Sequence, residues 1–361
     1  MKRRALAINC GSSSLKIALM EDEDTTERVV LRRSLDDVDD IPQAIAGVVA
    51  DLDARDLRPD VVGHRMVHGG PSLVQPTRID AAVLSALERV IPFAPIHLPP
   101  EIAAIRAIAQ QWPGIVQVAC FDTAFHASMP EIAERLPIPA EWHARGIRRY
   151  GFHGLSYEHV VAALGKELGA RTVIAHLGSG ASMVAVRDGK AIDTTMGFTP
   201  AGGLVMGTRS GDLDPGLLLY LLRDGVGVGQ LDRMLEHESG LLALSEKTAD
   251  MRKLLDLRDS DPRAEFAIEA FCASASKWLG ALTAALGGID MLVFTGGIGE
   301  NAPAIRLGIV RKLAYLGIAL DETANERNDE GKIGVGACDV RIVRADEERI
   351  VARHALIESA R

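Results

Sequence analysis

An apolar run, a turn rich in glycine and serine, and an alternating strand occur in both halves of this chain. That pairing restricts the possible fold more than any other feature of the sequence. In the first copy, Ala5 to Ile8 is a short apolar run suited to a strand buried on both faces. Gly11-Ser-Ser-Ser14 turns the chain, and Leu15, Ile17 and Leu19 then alternate with Lys16 and Ala18. A tight turn containing Gly11 can gather backbone N–H groups and hydroxyls into a concavity suited to phosphate oxygens, with Asn9 at its entrance. Alone, the stretch reads equally well as an ordinary hairpin with a polar tip. The second copy runs from Val173 through His176-Leu-Gly-Ser-Gly180 to Val186, and Arg187-Asp-Gly-Lys190 then forms a hairpin turn. Two such units predict a duplicated domain, each half offering a phosphate-binding hairpin to a shared cleft.

A length of 361 residues accommodates two domains, and 47% apolar with 25% charged residues is the balance of an ordinary soluble globular protein. A net charge of −9 argues against a general nucleic-acid binder. Cys10, Cys120, Cys272 and Cys338 are scattered with no C-x-x-C pair, which indicates neither zinc nor a disulfide framework. They are expected to be reduced core thiols of a cytosolic protein. The apolar run after Met1-Lys-Arg-Arg ends at Asn9, too short for an export signal, and no run is long enough to span a membrane. No Walker A pattern is present, so ATP would have to be bound without a P-loop.

Along the first half, strands are expected at Val29 to Leu35, Val61 to Gly70 and Ile115 to Cys120, with Glu21 to Glu27 as a solvated acidic turn. Helices are expected at Ile41 to Leu52, Ala81 to Ile91 and Pro100 to Gln111. Asp122-Thr-Ala-Phe-His126 follows the third of these strands, where open α/β sheets place their ligands. The second half should carry helices at Tyr157 to Leu168, Gly216 to Arg223, Leu231 to Glu236 and Arg263 to Leu286. It should then carry a strand from Met291 into a glycine-rich turn, a helix at Ala304 to Leu313, a strand at Val340 to Val343 and a helix at Asp346 to Ile357. The glycines after Phe294 do not satisfy G-x-G-x-x-G, leaving a dehydrogenase a distant reading.

Arg65 lies in Gly63-His-Arg-Met-Val-His68 and Arg209 in Gly207-Thr-Arg-Ser-Gly211. Either could be a surface arginine. The flanking glycines favour close approach by other groups instead, and two converging arginines suit a substrate bearing carboxylate and phosphoryl charge. Asp122 is either a helix cap or a group that places Mg²⁺ or the attacking group. Glu347 opens the last helix, where an acid also favours the helix dipole.

With these residues assembled, the chain resembles the acetate kinase family. The matches are Asn9-Cys-Gly-Ser-Ser-Ser-Leu-Lys16, Gly63 to Gly70, Phe121-Asp-Thr-Ala-Phe-His126, Tyr150-Gly-Phe-His-Gly154, His176-Leu-Gly, Gly207 to Pro215, Gly296-Gly-Ile-Gly-Glu-Asn301 and Asp346-Glu-Glu348, in family order. The resemblance implies an α/β fold of two duplicated actin-like (ribonuclease H-like) domains with a nucleotide cleft between them. Residues 1–127 plus 346–361 would form domain I. Residues 128–345 would form domain II, with the nucleotide site and the interface of a homodimer. It also implies reversible in-line phosphoryl transfer from ATP to acetate, giving acetyl phosphate and ADP, with Mg²⁺ or Mn²⁺. By resemblance Arg65, Asp122, His153 and Arg209 are catalytic, and Asn9 and Glu347 hold the metal. Ser12, Lys16, His176, Gly178, Ser179, Gly180, Asp250, Met251, Arg252, Gly297, Ile298 and Asn301 contact phosphate or nucleotide. Val67, Ile96, Phe152 and Pro200 form the pocket for the methyl group. Against the family pattern, Ser179 replaces an asparagine, Ile96-His-Leu-Pro99 replaces Leu-His-Asn-Pro, Gly202 stands in place of a glutamate, and Asp250-Met-Arg252 replaces Asp-Phe-Arg. A propionate or butyrate kinase, or a weakly catalytic ATP-binding regulator on the same fold, is the alternative.

Overall fold

The computed structural model describes residues 2–11, 14–23 and 26–361. The chain divides into two compact units. The first comprises Met1–Ala127, Gly154–His159 and Asp346–Arg361, and the second Ser128–His153 and Val160–Ala345.

The first unit is built on strands β1 (Arg3–Cys10), β2 (Ser14–Glu23), β3 (Thr26–Asp36), β4 (Val61–Met66), β5 (Thr77–Arg78) and β6 (Val116–Phe121). Their order in the sheet is β3-β2-β1-β4-β6-β5. β1 pairs antiparallel with β2 and parallel with β4, which pairs parallel with β6. Side chains alternate across the sheet, so the apolar run of β1 serves two cores. Leu6, Ile8 and Cys10 pack with Ile45, Val49 and Leu52 of helix Ile41–Ala54 and with Ile108 of helix Leu98–Gln111. Ala5 and Ala7 face the other way, against Ile350, Val351 and Ala355 of the C-terminal helix Glu347–Ser359. The small residues matter. A Cβ on Gly63 of β4 would come within 2.7 Å of Val351 Cγ1 and 2.8 Å of the Val351 carbonyl oxygen. Only glycine there lets the C-terminal helix lie this close to the strands. The packing holds the first turn of that helix beside the carboxyl ends of β1 and β4.

The second unit contains β7 (Arg171–Leu177), β8 (Ala181–Arg187), β9 (Lys190–Thr194), β10 (Met291–Thr295), β11 (Gly331–Lys332) and β12 (Asp339–Ile342). Their order is β11-β12-β10-β7-β8-β9. β7 pairs antiparallel with β8 and parallel with β10, which pairs parallel with β12. Read from its other edge, this is the topology of the first unit, so the repeated hairpin in the sequence belongs to a repeated sheet. Val173, Ile174, Ala175, Met183, Val184 and Ala185 are fully buried, as expected of strands covered on both faces. Helix Pro262–Leu286 packs against β7, β8 and β9, starts under an Asp261 cap, and stops at left-handed Gly287. Between β8 and β9, Asp188 and Gly189 both have positive φ (50° and 79°), the geometry of a tight two-residue hairpin.

Several expectations shift. The stretch Glu21 to Glu27 is not a solvated turn at its start: Glu21 to Glu23 complete β2, and Glu21 is 5% exposed. Cross-strand neighbours explain this, since Arg4 of β1 and Arg28 of β3 flank it in register, with Lys2 alongside. β10 runs directly into a short helix, Gly296–Asn301, in place of a glycine turn, and the next helix is Pro303–Val310. Helices Gly240–Ser245 and Met251–Leu257 lie in a region with no expected element. Each is too short to display an amphipathic period. Among the described residues no helix is long and apolar enough to cross a membrane.

Glu21 makes a stability prediction. Lys2 foremost, then Arg4 and Arg28 against the opposing effect of burial, hold its carboxyl down at about 2 from an ordinary 4.5. A depressed carboxylate stabilises the fold above its ordinary pKa and loses that contribution as pH falls through the folded value. Glu21→Gln is therefore expected to cost about 1.5–3 kcal/mol at pH 7, the range for hydrogen bonds to charged groups. The deficit should close between pH 4.5 and about 2. Urea unfolding of both proteins across that range checks this, and a deficit independent of pH would count against it.

Candidate active site

In the first unit the carboxyl ends of the parallel strands carry the charged side chains. Asn9 of β1 and Arg65 of β4 are register partners, and Lys16 of β2 lies opposite Asn9 on the other side. Arg65 is held at two nitrogens. Its Nη1 donates to Glu101 Oε1 at 3.1 Å and its Nη2 to Asp122 Oδ2 at 2.5 Å. The Arg65 side chain is 15% exposed and both carboxylates 1%. Burial disfavours its charge, but Asp122, Glu101 and Glu347 outweigh burial and raise its pKa. The short turn that follows, Ala124–His126, begins after Thr123, and the Asp122 carboxylate goes to Arg65. Asp122 stands just beyond β6, and its carbonyl oxygen accepts from Gly154 N at 2.8 Å.

Glu347 is the first residue of the C-terminal helix, behind an Asp346 cap. It accepts a long hydrogen bond of 3.4 Å from Asn9 Nδ2. Burial pushes its carboxyl up, Arg65 and Lys16 pull it down, Glu348 adds to the rise, and the net direction is upward. Among the described residues no cluster of three or more His, Cys, Asp or Glu side chains is placed to hold a metal ion. One carboxylate and one amide do fit a Mg²⁺ that keeps water and phosphate oxygens for most of its shell. Val67 is buried and Ile96 half-buried in this same unit. Ser12 lies outside the described residues.

In the second unit a different set gathers around the turn after β7. His153 has a left-handed backbone (φ 58°, ψ 23°), uncommon for a residue with a side chain. Its Nδ1 is 2.8 Å from Ser182 Oγ of β8, and its ring stacks on His176 with centroids 4.4 Å apart. Arg209 pairs through Nε with Glu236 at 3.0 Å, and its Nη1 reaches the Pro200 carbonyl oxygen at 3.5 Å. His153 Nε2 and Arg209 Nη1 converge over Gly180, each 3.4 Å from where a Cβ would stand. The loop carrying Arg209 is held by backbone hydrogen bonds from Gly207 N to Ser179 O (3.0 Å), Ser239 N to Thr208 O (2.9 Å) and Leu241 N to Met206 O (2.8 Å). Gly240 makes this possible. Its φ is +63°, and a Cβ would fall 2.2 Å from Met206 O and 2.6 Å from Arg209 O. Phe152 and Pro200 are buried in this unit.

A cavity of about 570 Å³ in the second unit is lined by Gly178, Ser179, Asp250, Met251, Arg252, Gly297, Ile298 and Asn301, together with Ala249, Leu255 and Ala302. Its polar edge is the turn after β7. Its apolar walls are Met251 and Leu255 on one helix and Ile298 on helix Gly296–Asn301. Asp250 caps the first of these through Arg252 N, and Asn301 Nδ2 binds Gly297 O at 2.9 Å in the second. His176 and Gly180 are not part of this lining and belong to the His153–Arg209 cluster.

The model of the acetokinase family matches residues 33–353. The chain belongs to the acetokinase family. It is 43% identical over 302 residues to an acetate kinase of Thermosynechococcus vestitus, covering 81% of this chain and 73% of that one. Its fold matches the crystal structure of Porphyromonas gingivalis acetate kinase with a TM-score of 0.89 at 34% identity, covering 99% of this chain and 100% of that one. A propionate kinase from Francisella tularensis matches with a TM-score of 0.89 at 36% identity, covering 98% and 99%. The duplicated α/β fold of actin-like units expected of the acetokinase family is the fold observed.

The residues that hold the recognised ones carry no local mark in the sequence. Glu101 is one acid in the first turn of a helix. Ser182 sits inside an alternating strand, and Glu236 near the end of an amphipathic helix. Each acts across a gap in sequence that only the fold closes. Leu255 carried a weak signal, lying four residues beyond Met251 on one helical face.

The approach of His153 and Arg209 over Gly180 gives a direct test. Gly180→Val would place a branched side chain where the imidazole and guanidinium meet. Turnover should fall by roughly 10²-fold, the scale for displacing positioned groups by about 1 Å, with the melting temperature little changed. Undiminished turnover in folded protein would show that this convergence has no part in the chemistry.

Proposed function

We propose that this protein is an acetate kinase: it transfers the γ-phosphoryl group of ATP to a carboxylate oxygen of acetate, reversibly, giving acetyl phosphate and ADP. The observation that carries the reading is the convergence of Arg209 Nη1 and His153 Nε2 beside the Gly178–Gly180 turn. Acetate is already an anionic nucleophile, so no strong general base is required. The difficulty is bringing two anions together, and fixed donors answer it. Arg65 would receive the acetate carboxylate, with Asp122 and Glu101 holding the guanidinium. Arg209 and His153 would donate to the oxygens of the phosphoryl group in transit. The oxygen of acetate attacks phosphorus as the bond to the leaving ADP oxygen breaks, in line.

Asn9 and Glu347 would hold Mg²⁺ or Mn²⁺ that arrives with the nucleotide, and the ion would supply charge neutralisation at the phosphates. Lys16 and Ser12 would add phosphate donors, and His176 would support the His153 ring on which it stacks. The cavity beside Gly297 and Ile298 would take the adenosine part, its apolar walls suiting a base. Val67, Ile96, Phe152 and Pro200 would border the acceptor's methyl group. One methylene alters discrimination by only about 1–3 kcal/mol, so propionate is the nearest competing acceptor. The four free buried cysteines support a reducing, cytosolic setting.

Hydroxamate trapping of the acyl phosphate tests the reaction, with acetate, propionate and butyrate in parallel and Mg²⁺-ATP as donor. Acetate is expected to give the highest kcat/KM. Arg65→Ala or Arg209→Ala should each lower turnover about 10²–10³-fold, the scale for losing one such donor. Protein that binds ATP but makes no acyl phosphate from any of the three acids would refute the kinase reading in favour of a nucleotide-binding regulator.

The protein would work as a homodimer joined through the second unit. Helix Pro215–Arg223 supports this, because Leu217, Leu219, Tyr220 and Leu222 are 41%, 51%, 62% and 40% exposed on one short segment. Analytical ultracentrifugation should find two chains per particle and single chains for Leu219→Glu combined with Tyr220→Glu. Dimers persisting in that variant would move the interface elsewhere.

A further inference from the structure

Glu101 is a buried titratable group that touches neither substrate in the phosphoryl-transfer scheme. It lies in the first turn of helix Leu98–Gln111 and is 1% exposed. Its Oε1 accepts from Arg65 Nη1 at 3.1 Å, and both of its oxygens lie within hydrogen-bond distance of the Val67 backbone nitrogen, at 3.2 and 3.0 Å. One carboxyl thus bonds two neighbours in the chain that do different work. Arg65 is the cation assigned to the acceptor's carboxylate, and Val67 is assigned to the wall beside its methyl group.

We propose that Glu101 is a positioning residue of the acceptor site, tying the Arg65 guanidinium to the backbone of Val67 so that the charged and apolar halves of acceptor recognition are held as one piece. The proposal rests on the reading of Arg65 and Val67 as acceptor-binding residues. Two observations favour it over a merely structural acid. A helix needs no buried carboxylate at this position, because an acid supports the dipole equally well in solvent. Burying a polar group is costly unless its atoms find partners, and here the carboxyl oxygens accept from Arg65 and from the backbone N–H that follows β4.

The charges around Glu101 give the inference a second, independent readout. Arg65 faces it from β4, Asp122 from beyond β6 and the Cys10 thiol from β1, while Glu347 acts on the same guanidinium. Burial pushes the Glu101 carboxyl up to about 8; Arg65 and the Val67 N–H oppose the shift, and Asp122 adds to it. Ionisation above that pH adds a negative charge beside the cation that must attract an anionic acceptor. Acetate recognition should therefore weaken above about pH 8.

The test is steady-state kinetics of Glu101→Ala, Glu101→Gln and Arg65→Ala with both substrates from pH 6 to 9.5, alongside melting temperatures. Glu101→Ala should raise KM for acetate about tenfold or more, on the scale of a lost hydrogen bond to a charged group, with KM for ATP within about twofold. Glu101→Gln keeps an acceptor for Val67 and Arg65 but cannot ionise. It should restore most of the acetate KM and abolish the decline in kcat/KM for acetate above about pH 8. Equal rises in both KM values, or a wild-type pH profile in Glu101→Gln, would overturn the inference. If Glu101→Ala does not fold, the pH profile of Glu101→Gln alone decides. If Arg65→Ala leaves acetate KM unchanged, the acceptor-site reading itself falls; if Arg65→Ala raises it and neither Glu101 variant does, only the role of Glu101 falls.

Discussion

Arg65 is enclosed with two carboxylates that solvent scarcely reaches, and much of the first unit is arranged to make that tolerable. An unpaired buried charge costs several kcal/mol, and removing one member of such a cluster typically costs about 3–5 kcal/mol. Three elements meet the requirement. β4 brings the arginine, the segment after β6 brings Asp122, and helix Leu98–Gln111 brings Glu101. The C-terminal helix adds Glu347, and it can do so because Ala5, Ala7 and Gly63 leave room for it against the sheet. The small residues of the core and the charged residues at its edge are thus parts of one design.

The duplication shows what was kept and what was changed. Both sheets have a three-stranded antiparallel edge joined to parallel strands. In the first, Asn9 of β1 stands in register with Arg65 of β4; in the second, the corresponding strands β7 and β10 pair His176 with Thr295. The same place in the topology carries a half-buried cation in one copy. In the other, a hydroxyl is followed by the glycines of helix Gly296–Asn301. One copy collects charge, and the other opens a cavity beside a backbone turn. Both uses follow from the ends of parallel strands, where backbone groups and side chains point past the sheet.

What could be read in the sequence divides along the same physical line. The paired hairpins, the long helix and the strand ahead of Gly296 were legible because local period and turn chemistry determine them. Arg65, Arg209 and Asp122 were legible as candidates from their glycine-rich or strand-end settings. Their partners were not, because Glu101 is 36 residues from Arg65, and Ser182 is 29 from His153. Glu21 is the clearest miss. Its acidic neighbours mark a solvated turn, yet cations on the two adjoining strands pull it into the sheet. Local composition could not reveal that register.

Within the acetate kinase reading, the two arginines are held in ways that suit different moments of the reaction. Arg65 is fixed at both terminal nitrogens by buried carboxylates, so its position is settled before any ligand arrives. That arrangement suits recognition of an anion present throughout. Arg209 is anchored at Nε by Glu236, while its Nη1 reaches the Pro200 carbonyl oxygen at 3.5 Å and Met206 Sδ at 3.9 Å and extends to Gly180 beside His153 Nε2. A guanidinium end that meets His153 Nε2 over Gly180 is placed to gain contact when charge builds on a phosphoryl group in flight. Interactions stronger in the transition state than before it are the ones that accelerate a reaction. The backbone at His153 fits the same logic. A left-handed residue costs of order 1–3 kcal/mol and persists only where its surroundings hold it, here Ser182, His176 and the helix that begins at Gly154.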